Sequence, residues 1–361
     1  MRTRLQAQLQ LALLSTQPPD PGNTSPWLLL SPSHIAEYLT LSDERLYRQA
    51  RHPTAACEPA RGGEHTHTRA RRHRCRIGAC SYVWDVHKRN LIRQCSGSWC
   101  GLGVGGEGST MPAASLRLKQ PLLQLTQQFN DMAILVASSI VCACSLAERA
   151  ALISRWVEVA SLLRQIRNFN GTFVVLAGLS NTAVHRLRAT CARLSKQTLA
   201  EWDSLVELMA HKQSYRAYRS ALRSCLSPNE PRPYLPYMGV HLTDLTFIGD
   251  GNADRVGSLI NVSKRQKVLD VISLCLAGRC ARYEFSALPG IGALVDAAKR
   301  LSEDALYRES LQREPRGMSV TEIERRDAAA VKQQKALAKA ASAAAAETAR
   351  DERTAVGTRK K

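Results

Sequence analysis

Apolar residues recur every three or four positions along most of the chain between Leu122 and about Ala298. The clearest stripe lies in residues 147–166, where Arg155, Glu158 and Arg164 fall on the other side. This period is typical of a helix that is buried along one face. The segment therefore predicts a long helix packed against a core.

Polar residues mark the starts of further helices. Asn181 precedes the periodic residues 183–194, and Ser195 begins a similar segment that runs to His211. Both residue types are favoured helix N-caps. No alternating pattern typical of a strand exceeds a few residues in the sequence, so we expect an all-α fold.

The beginning of the chain indicates where the ordered domain starts. Residues 17–23 (QPPDPGN) are rich in helix breakers, so residues 1–30 are interpreted as a disordered leader. Residues 31–39 (SPSHIAEYL) have a capped helix start, and Thr40 is expected to cap a second turn or helix. We predict one helical domain over residues 31–310.

Two segments do not fit the periodic pattern. Residues 51–120 have no sustained period, and we interpret them as a disordered insertion or as translated non-coding sequence; both interpretations stay open. Residues 311–361 form a tail rich in Ala, Lys and Arg, without an apolar stripe from Val320 onward. Alanine favours helix without burial, so the tail is expected to be disordered or an exposed, partly formed helix. A basic helix that contacts anionic lipid is the sharper alternative.

Charge is concentrated in the predicted insertion. The 361 residues contain 50 Lys and Arg against 31 Asp and Glu, a formal net charge of +19. Residues 51–127 contain twelve basic and four acidic residues. The aromatic content is 5%, and no basic patch is interleaved with aromatic side chains on which bases could stack. Nucleic-acid binding is therefore not expected.

The eleven cysteines indicate a reducing compartment, because several of them lie within apolar helical patterns. We expect a cytoplasmic protein without a secretory signal or a membrane span, while a transit peptide in the acid-poor N-terminus stays open as an alternative. Within the insertion, four cysteines lie near four histidines at spacings that structural zinc sites permit, which makes zinc an alternative there. These cysteines are Cys75, Cys80, Cys95 and Cys100. No other metal and no cofactor is predicted.

Motifs for covalent chemistry are absent from the sequence. No phosphate-binding loop ends in Gly-Lys-Ser or Gly-Lys-Thr, and no His, Asp and nucleophile occur in contexts that suggest hydrolysis. The glycine-rich residues 101–106 match a dinucleotide fingerprint only formally, because no strand precedes them and no helix follows. We therefore expect a regulator or a scaffold, not an enzyme that breaks a bond.

Four sequence blocks in a fixed order carry a resemblance to one family. They are residues 31–47 with an Ile-Ala-x-x-Leu-Thr opening, residues 148–187 with ERAALISRWVEVA, RNFNG and GLSNTAVHRL, residues 233–248 with PYLPYMGVHLTDLTFI, and residues 259–268 with LINVSKRQKV. Together they resemble the catalytic domain of guanine-nucleotide exchange factors for Ras-family GTPases. The resemblance covers about residues 31–47 and 122–295, and it implies a single helical domain with a protruding helical hairpin.

The resemblance also implies a mechanism and a set of site residues. A small GTPase holds its nucleotide through phosphate contacts, Mg²⁺ and two mobile switch loops. A bowl of helices is expected to grip the second switch, and the hairpin, over about residues 252–279, to displace the first. The candidate residues are Asn168, Phe169, Asn170 and Arg186 in the bowl, and Asn261, Lys264, Lys267, Val271 and Leu274 in the hairpin.

Each bowl candidate also has a structural interpretation. Phe169 is expected in the core together with Leu179 and Leu187, because all three are apolar and lie in helical patterns. Asn168 and Asn170 can cap or bridge helices instead of contacting a GTPase. Both interpretations of the two asparagines stay open.

The hairpin shows departures from the family pattern. Asn261 stands at a helix N-cap, and Lys264 and Arg265 fit an ordinary solvated helix start. Val262 replaces the usual aromatic residue, and Leu274 replaces a common Glu. The leader is also too short for the helical module that usually buttresses the hairpin. We therefore expect weak exchange activity, or activity that needs help in trans.

The leading interpretation is an exchange factor for a Ras-, Rap- or Ral-type GTPase, located in the cytoplasm and peripheral at the plasma membrane. An anionic membrane surface is expected as a second partner. The alternative is an exchange-inactive helical scaffold that binds a small GTPase or another signalling protein.

Overall fold

The computed structural model describes residues 25–49, 113–226, 232–286, 290–333 and 336. Most of the predicted leader, most of the insertion and the end of the tail lie outside these residues, as do the four cysteines of the zinc alternative. Within them the fold is almost entirely helical, which confirms the predicted all-α class. None of the described helices combines the length and the apolar character needed to cross a membrane.

The elements follow one another along the chain with one short pair of strands. They are α1 (Pro26–Leu29), α2 (Pro32–Gln49), α3 (Ala113–Val141), α4 (Leu146–Gln165), α5 (Phe169–Leu179), α6 (Thr182–His185), α7 (Arg188–Cys191), α8 (Lys196–Leu208), α9 (Arg216–Arg223), α10 (Met238–Gly251), β1 (Arg255–Val256), β2 (Leu259–Ile260), α11 (Val262–Ala277), α12 (Ile291–Ala297), α13 (Glu303–Arg313) and α14 (residues 320–333).

The chain divides into two compact units, which we describe separately. Unit one is drawn from Met1–Asp43, Gln128–Val240 and Leu274–Lys361, and unit two from Glu44–Gln127 and His241–Ser273. The core of unit one is built around α4 and α5. Along α4 the residues Leu152, Ile153, Trp156, Val159, Ala160 and Leu163 are fully buried, as the predicted stripe requires.

Helix α4 matches its sequence prediction closely. Ser145 caps it by accepting a hydrogen bond from the backbone N–H of Glu148 at 3.1 Å. The carboxylate of Glu148 in turn accepts from the backbone N–H of Cys144 at 3.2 Å. Two free N–H groups at the helix start are thereby satisfied locally.

The ordered domain begins earlier than the sequence predicted. Trp27 in α1 packs against Trp156 with ring centroids 5.4 Å apart, and Leu30 is buried as well. Aromatic burial of this size outweighs the weak helix propensity of the surrounding residues. The prediction of a leader through residue 30 is therefore wrong for residues 26–30.

Helix α2 is continuous, where the sequence predicted a second cap at Thr40. The Thr40 side chain is fully buried, and its hydroxyl donates to the carbonyl oxygen of Ala36 at 2.8 Å. Because the Thr40 hydroxyl is bonded to a carbonyl oxygen of the preceding turn, it does not cap a new helix, and α2 continues through this residue.

The predicted helix 183–194 is divided into α6 and α7. Asn181 does cap α6, through a hydrogen bond of 2.9 Å from the N–H of Ala183 to its side chain. The second helix start arises because the Glu314 carboxylate accepts from the backbone N–H groups of Ala189 and Thr190, at 3.0 and 2.9 Å. This partner lies 124 to 125 residues away in sequence.

The first part of the predicted tail belongs to the core of unit one. Ile323 and Asp327 in α14 are buried. Asp327 accepts a hydrogen bond from the fully buried guanidinium of Arg149 at 2.9 Å. A buried charge requires such a partner, so the prediction of an exposed tail is wrong for residues 320–333.

Candidate functional site

Asn168 links α5 to α2 and is fully buried. Its Oδ1 accepts from the backbone N–H of Gly171 at 2.8 Å, which caps α5. Its Nδ2 donates to Oγ1 of Thr40 at 3.1 Å and to Oδ2 of Asp43 at 3.2 Å. The side chain is thus used for capping and bridging, one of the two interpretations that the sequence left open.

Asp43 is a buried carboxyl at the centre of this network. It also accepts from Nε2 of Gln128 at 2.9 Å. Burial raises its pKa from the ordinary 3.8 to about 6, while the nearby amide donors of Asn170, Asn168 and Gln128 act in the opposite direction. Asn170 lies near enough to influence this pKa, but its Nδ2 makes no hydrogen bond of ordinary geometry within the described residues. The predicted bowl residue Asn170 therefore keeps an unpaired donor.

Phe169 belongs to the core. It is 3% exposed and meets the ring of Tyr218 edge-on, with centroids 5.5 Å apart. Leu179 and Leu187 are fully buried. The core interpretation of these three apolar residues is confirmed.

Arg186 holds the helix α13 in place. Its Nη1 donates to Oγ of Ser310 at 3.0 Å, and its Nη2 donates to the carbonyl oxygen of Glu314 at 2.8 Å. These bonds are charge-assisted, and with a further bond from Nη1 to the carbonyl oxygen of Ser310 they satisfy two carbonyl groups near the end of α13. The structure thus gives Arg186 a packing role, and its contact with a GTPase stays a prediction.

Four half-buried aromatic residues of unit one form a surface that we call the aromatic cluster. Phe173 and Tyr237 stack with centroids 3.9 Å apart. Phe129 lies 5.4 Å from Tyr237, and Tyr215 lies 6.1 Å from Phe173. Partly exposed aromatic rings held by one another offer apolar area at little entropic cost, which suits the centre of an interface.

The sequence candidates did not include the aromatic cluster. Its members come from α3, α5, the turn before α9 and the extended residues before α10. Phe173 and Tyr237 lie within two of the blocks that carry the family resemblance, which is the signal that could have identified them. Their convergence depends on backbone hydrogen bonds between Leu235 and both Arg167 and Phe169, at 3.0 and 2.9 Å.

Helices α10 and α11, which lie mostly in unit two, form the predicted hairpin, but its first helix starts at Met238, earlier than the expected residue 252. Helix α10 continues through Gly251. The strands β1 and β2 pair between the two helices. Gly257 turns the chain there at φ 60°, a left-handed conformation that favours glycine.

Asn261 closes the loop between the two helices. Its Oδ1 accepts from the backbone N–H of Lys264 at 3.0 Å and caps α11. Its Nδ2 donates to the carbonyl oxygen of Ala253 at 2.9 Å, and its backbone N–H donates to that of Asp254 at 3.0 Å. The N-cap interpretation is confirmed.

Lys264 is buried, contrary to the prediction of a solvated helix start. Its Nζ donates to the carbonyl oxygen of Gly249 at 3.0 Å and pairs with Asp254 at 3.1 Å. Lys264 therefore ties α10 to the start of α11. Lys267 is exposed, and its Nζ lies 3.2 Å from Oδ1 of Asn252.

Large apolar side chains are exposed where the hairpin turns. We call Val256, Leu259, Ile260 and Val262 the apolar tip; they are 57–72% exposed. Phe247 on α10 is 70% exposed. Contiguous exposed apolar residues of this kind mark an interaction site in a soluble protein.

The last two hairpin candidates lie away from the apolar tip. Val271 is half-buried. Leu274 belongs to unit one, where it packs against the core and its carbonyl oxygen accepts from the hydroxyl of Tyr234 at 2.6 Å. The described residues contain no group of three or more side chains that could hold a metal ion.

The similar proteins described next all carry names that describe guanine-nucleotide exchange or release. "Ras guanine nucleotide exchange factor J" of Dictyostelium discoideum is 34% identical over 210 residues, which cover 58% of this chain and 25% of that protein. "Ras-specific guanine nucleotide-releasing factor 2" of Mus musculus is 34% identical over 197 residues, which cover 54% of this chain and 16% of that protein. The chain thus spans a quarter or less of the length of these two relatives.

The family description "RasGEF domain" matches residues 34–266, well over half of the chain. This range contains two of the four blocks in full and most of the other two, most of α2, and the whole of α3 to α10. The chain belongs to the RasGEF domain family.

Proposed function

We propose that this protein is a guanine-nucleotide exchange factor that accelerates GDP release from a Ras-family small GTPase by displacing its switch regions. The observation that carries the proposal is the apolar tip of the hairpin in a RasGEF domain. Side chains of this kind each gain about 1.5–3 kcal/mol when they become fully buried. A partner that covers them therefore gains binding free energy.

Exchange requires that binding favours the opened GTPase. A partner shifts an equilibrium only by its difference in affinity for the two states. We infer that the apolar tip and Phe247 bind surface that the GTPase exposes when its first switch moves away. Lys264 supports this role indirectly, because its two bonds fix α10 relative to the loop.

The aromatic cluster supports the proposal from unit one. Aromatic residues are enriched among the residues that dominate binding energy. We infer that Phe129, Phe173 and Tyr237 contact the second switch of the GTPase, with Asn170 close by. Asn168 and Arg186 act by positioning α5 and α13.

We infer that the protein is a regulator of a GTPase rather than a catalyst of covalent change. The relatives' names describe nucleotide exchange or release, which changes the occupancy of a binding site without breaking a covalent bond. The partner would be of Ras, Rap or Ral type, and the protein would act in the cytoplasm, peripheral at the plasma membrane.

One observation favours the alternative of an exchange-inactive scaffold. Val262 offers less apolar area at the tip than the aromatic residue that is usual in the family. A hairpin with a smaller tip could bind a GTPase without opening it.

Release of a fluorescent GDP analogue from Ras, Rap and Ral proteins separates these functions. An exchange factor accelerates release from at least one of them. If none releases nucleotide faster while a pull-down detects binding, the scaffold function is correct.

A further inference from the structure

A second surface of unit one is strongly basic. Residues 211–226 contain four basic residues and no acidic one. We call Lys212, Arg216, Arg219 and Arg223 the basic patch. None of the sequence blocks that resemble the family includes these residues, and the exchange mechanism does not use them.

Helix α9 presents most of this charge on one face. Arg216, Arg219 and Arg223 follow at spacings of three and four residues, which places them on the same side of a helix. Tyr218 and Leu222 occupy the opposite, fully buried side. The guanidinium of Arg223 is exposed and makes no hydrogen bond or ion pair with other described residues.

Beside this face lies an open cleft of about 690 Å³ between α8 and α9. Lys212, Gln213, Arg216 and Ser220 contribute to its lining, so it offers several hydrogen-bond donors. Its one carboxylate, Glu207, is exposed and pairs with Lys212 at 3.0 Å. An exposed pair of this type contributes little, so Lys212 can exchange it for another anion.

The backbone before α9 has an unusual shape. Gln213, Ser214 and Tyr215 all adopt positive φ, between 49° and 61°. The guanidinium of Arg219 donates from Nε to the carbonyl oxygen of Ser214 at 2.6 Å and holds this turn. Strained backbone of this kind persists only where surrounding contacts fix it.

Exposed apolar residues accompany the basic patch. Leu226 follows α9 directly and bonds through its backbone N–H to Arg223 at 3.0 Å. Val206 on α8 is the residue before Glu207, and Glu207 lines the cleft. Both side chains are 46% exposed. Basic side chains beside apolar ones match the boundary between anionic headgroups and acyl chains.

We propose that the basic patch binds the phosphate-bearing headgroups of an anionic membrane, with Leu226 and Val206 at the level of the headgroups. Charge complementarity favours this partner, because a run of four cations without an acid matches a surface of diffuse negative charge. The proposal names the surface through which the protein would bind the plasma membrane, the location given under the proposed function. It does not depend on exchange activity.

Co-sedimentation of the full chain with lipid vesicles tests this proposal. The vesicles contain phosphatidylcholine with 0, 20 or 40% phosphatidylserine, at physiological salt and without any GTPase. We expect binding to rise with the phosphatidylserine content. The triple variant Lys212→Ala/Arg216→Ala/Arg223→Ala should bind at least ten-fold more weakly, since each cation near such a surface contributes about 1 kcal/mol.

A charge-matched control excludes an effect of net charge alone. The variant Arg188→Ala/Lys196→Ala/Arg308→Ala removes the same charge from exposed positions on other helices. It should weaken binding less than three-fold. Equal losses in the two triple variants, or no loss in the first, would overturn the proposal.

Two further binding measurements, with inorganic phosphate and with polyglutamate, identify the ligand. Inorganic phosphate at 5 mM and constant ionic strength should not displace the vesicles; displacement would mean that the cleft is a site for free phosphate. Binding of polyglutamate is measured in the same way. If the triple variant loses binding to polyglutamate but not to vesicles, the basic patch binds an acidic protein partner instead. Because no GTPase is present, neither result bears on the exchange function.

Discussion

Tyr237 stacks on Phe173 with ring centroids 3.9 Å apart and planes 17° from parallel. The pair joins the extended residues before α10 to the middle of α5. Both rings keep part of their surface exposed, so the contact builds a surface as well as a core. It is the centre of the aromatic cluster to which we assign the second switch of the GTPase.

Tyr237→Ala is therefore expected to slow GDP release at least ten-fold. The matched control is Tyr307→Ala, a tyrosine that is 38% exposed on α13, and it should leave the release rate within two-fold. Stopped-flow release of a fluorescent GDP analogue gives both rates. Tyr237→Leu keeps apolar bulk and should retain more activity than Tyr237→Ala at similar stability. Equal release by Tyr237→Ala and the wild type would remove the aromatic cluster from the interface.

The apolar tip gives a second prediction. Leu259→Ser/Val262→Ser should reduce exchange at least ten-fold, because both side chains are 72% exposed and lose only the area that a partner would bury. Thermal unfolding should stay nearly unchanged, since exposed substitutions usually alter stability by less than about 0.5 kcal/mol.

The control for the apolar tip uses the same residue types at another site. Leu199→Ser/Val206→Ser changes a leucine and a valine on α8 that are 39% and 46% exposed. Release rates should match the wild type in solution. If both double variants lose activity equally, the apolar tip has no specific role.

Lys264 is expected to stabilise the hairpin rather than contact the GTPase. Lys264→Ala removes the bonds of the buried ammonium to the carbonyl oxygen of Gly249 and to Asp254, and hydrogen bonds of charged groups contribute about 1.5–3 kcal/mol. Hydrogen exchange of the amides in α10 and α11 should accelerate accordingly. Lys267→Ala, in an exposed position, should leave exchange protection almost unchanged. The reverse ranking would contradict the structural role of Lys264.

The sequence predicted elements well where the determinants are local. Helix α4 follows from its apolar stripe and from Ser145 and Glu148 at its start. The family resemblance located the hairpin, although not its first residue. Asn261 as an N-cap is likewise a local feature, and it needed no tertiary information.

Features that depend on distant partners could not be read from the chain. The break between α6 and α7 requires Glu314, and the burial of α14 requires Arg149. Lys264 looked solvated because Gly249 lies 15 residues earlier. The aromatic cluster combines four separate segments, so no single sequence pattern contains it.

Asp43 predicts a specific dependence of stability on pH. Its pKa of about 6 in the folded protein exceeds the ordinary 3.8. At a pH between these two values, the carboxyl is therefore protonated in the folded state and ionised in the unfolded state. Its contribution to the free energy of unfolding is therefore present at low pH and is lost as pH rises through 6. From pH 5 to 7.5 the loss should be about 1 kcal/mol.

Urea unfolding of the wild type and of Asp43→Asn at pH 5 and 7.5 measures this loss. The variant cannot titrate at position 43, so its stability should fall by about 1 kcal/mol less than that of the wild type over this interval. Ser42→Ala serves as a control next to the carboxyl. Parallel pH profiles for Asp43→Asn and the wild type would contradict the raised pKa.

As an exchange factor, this chain binds the opened GTPase more tightly than the closed one. The most direct measurement is its affinity for the nucleotide-free and the GDP-bound form of the same Ras-, Rap- or Ral-type protein, by surface-immobilised binding with and without excess GDP. We predict at least 100-fold tighter binding to the nucleotide-free form of one of them, and dissociation of that complex on addition of GDP. Equal affinity for the two forms of every GTPase that binds would contradict the account.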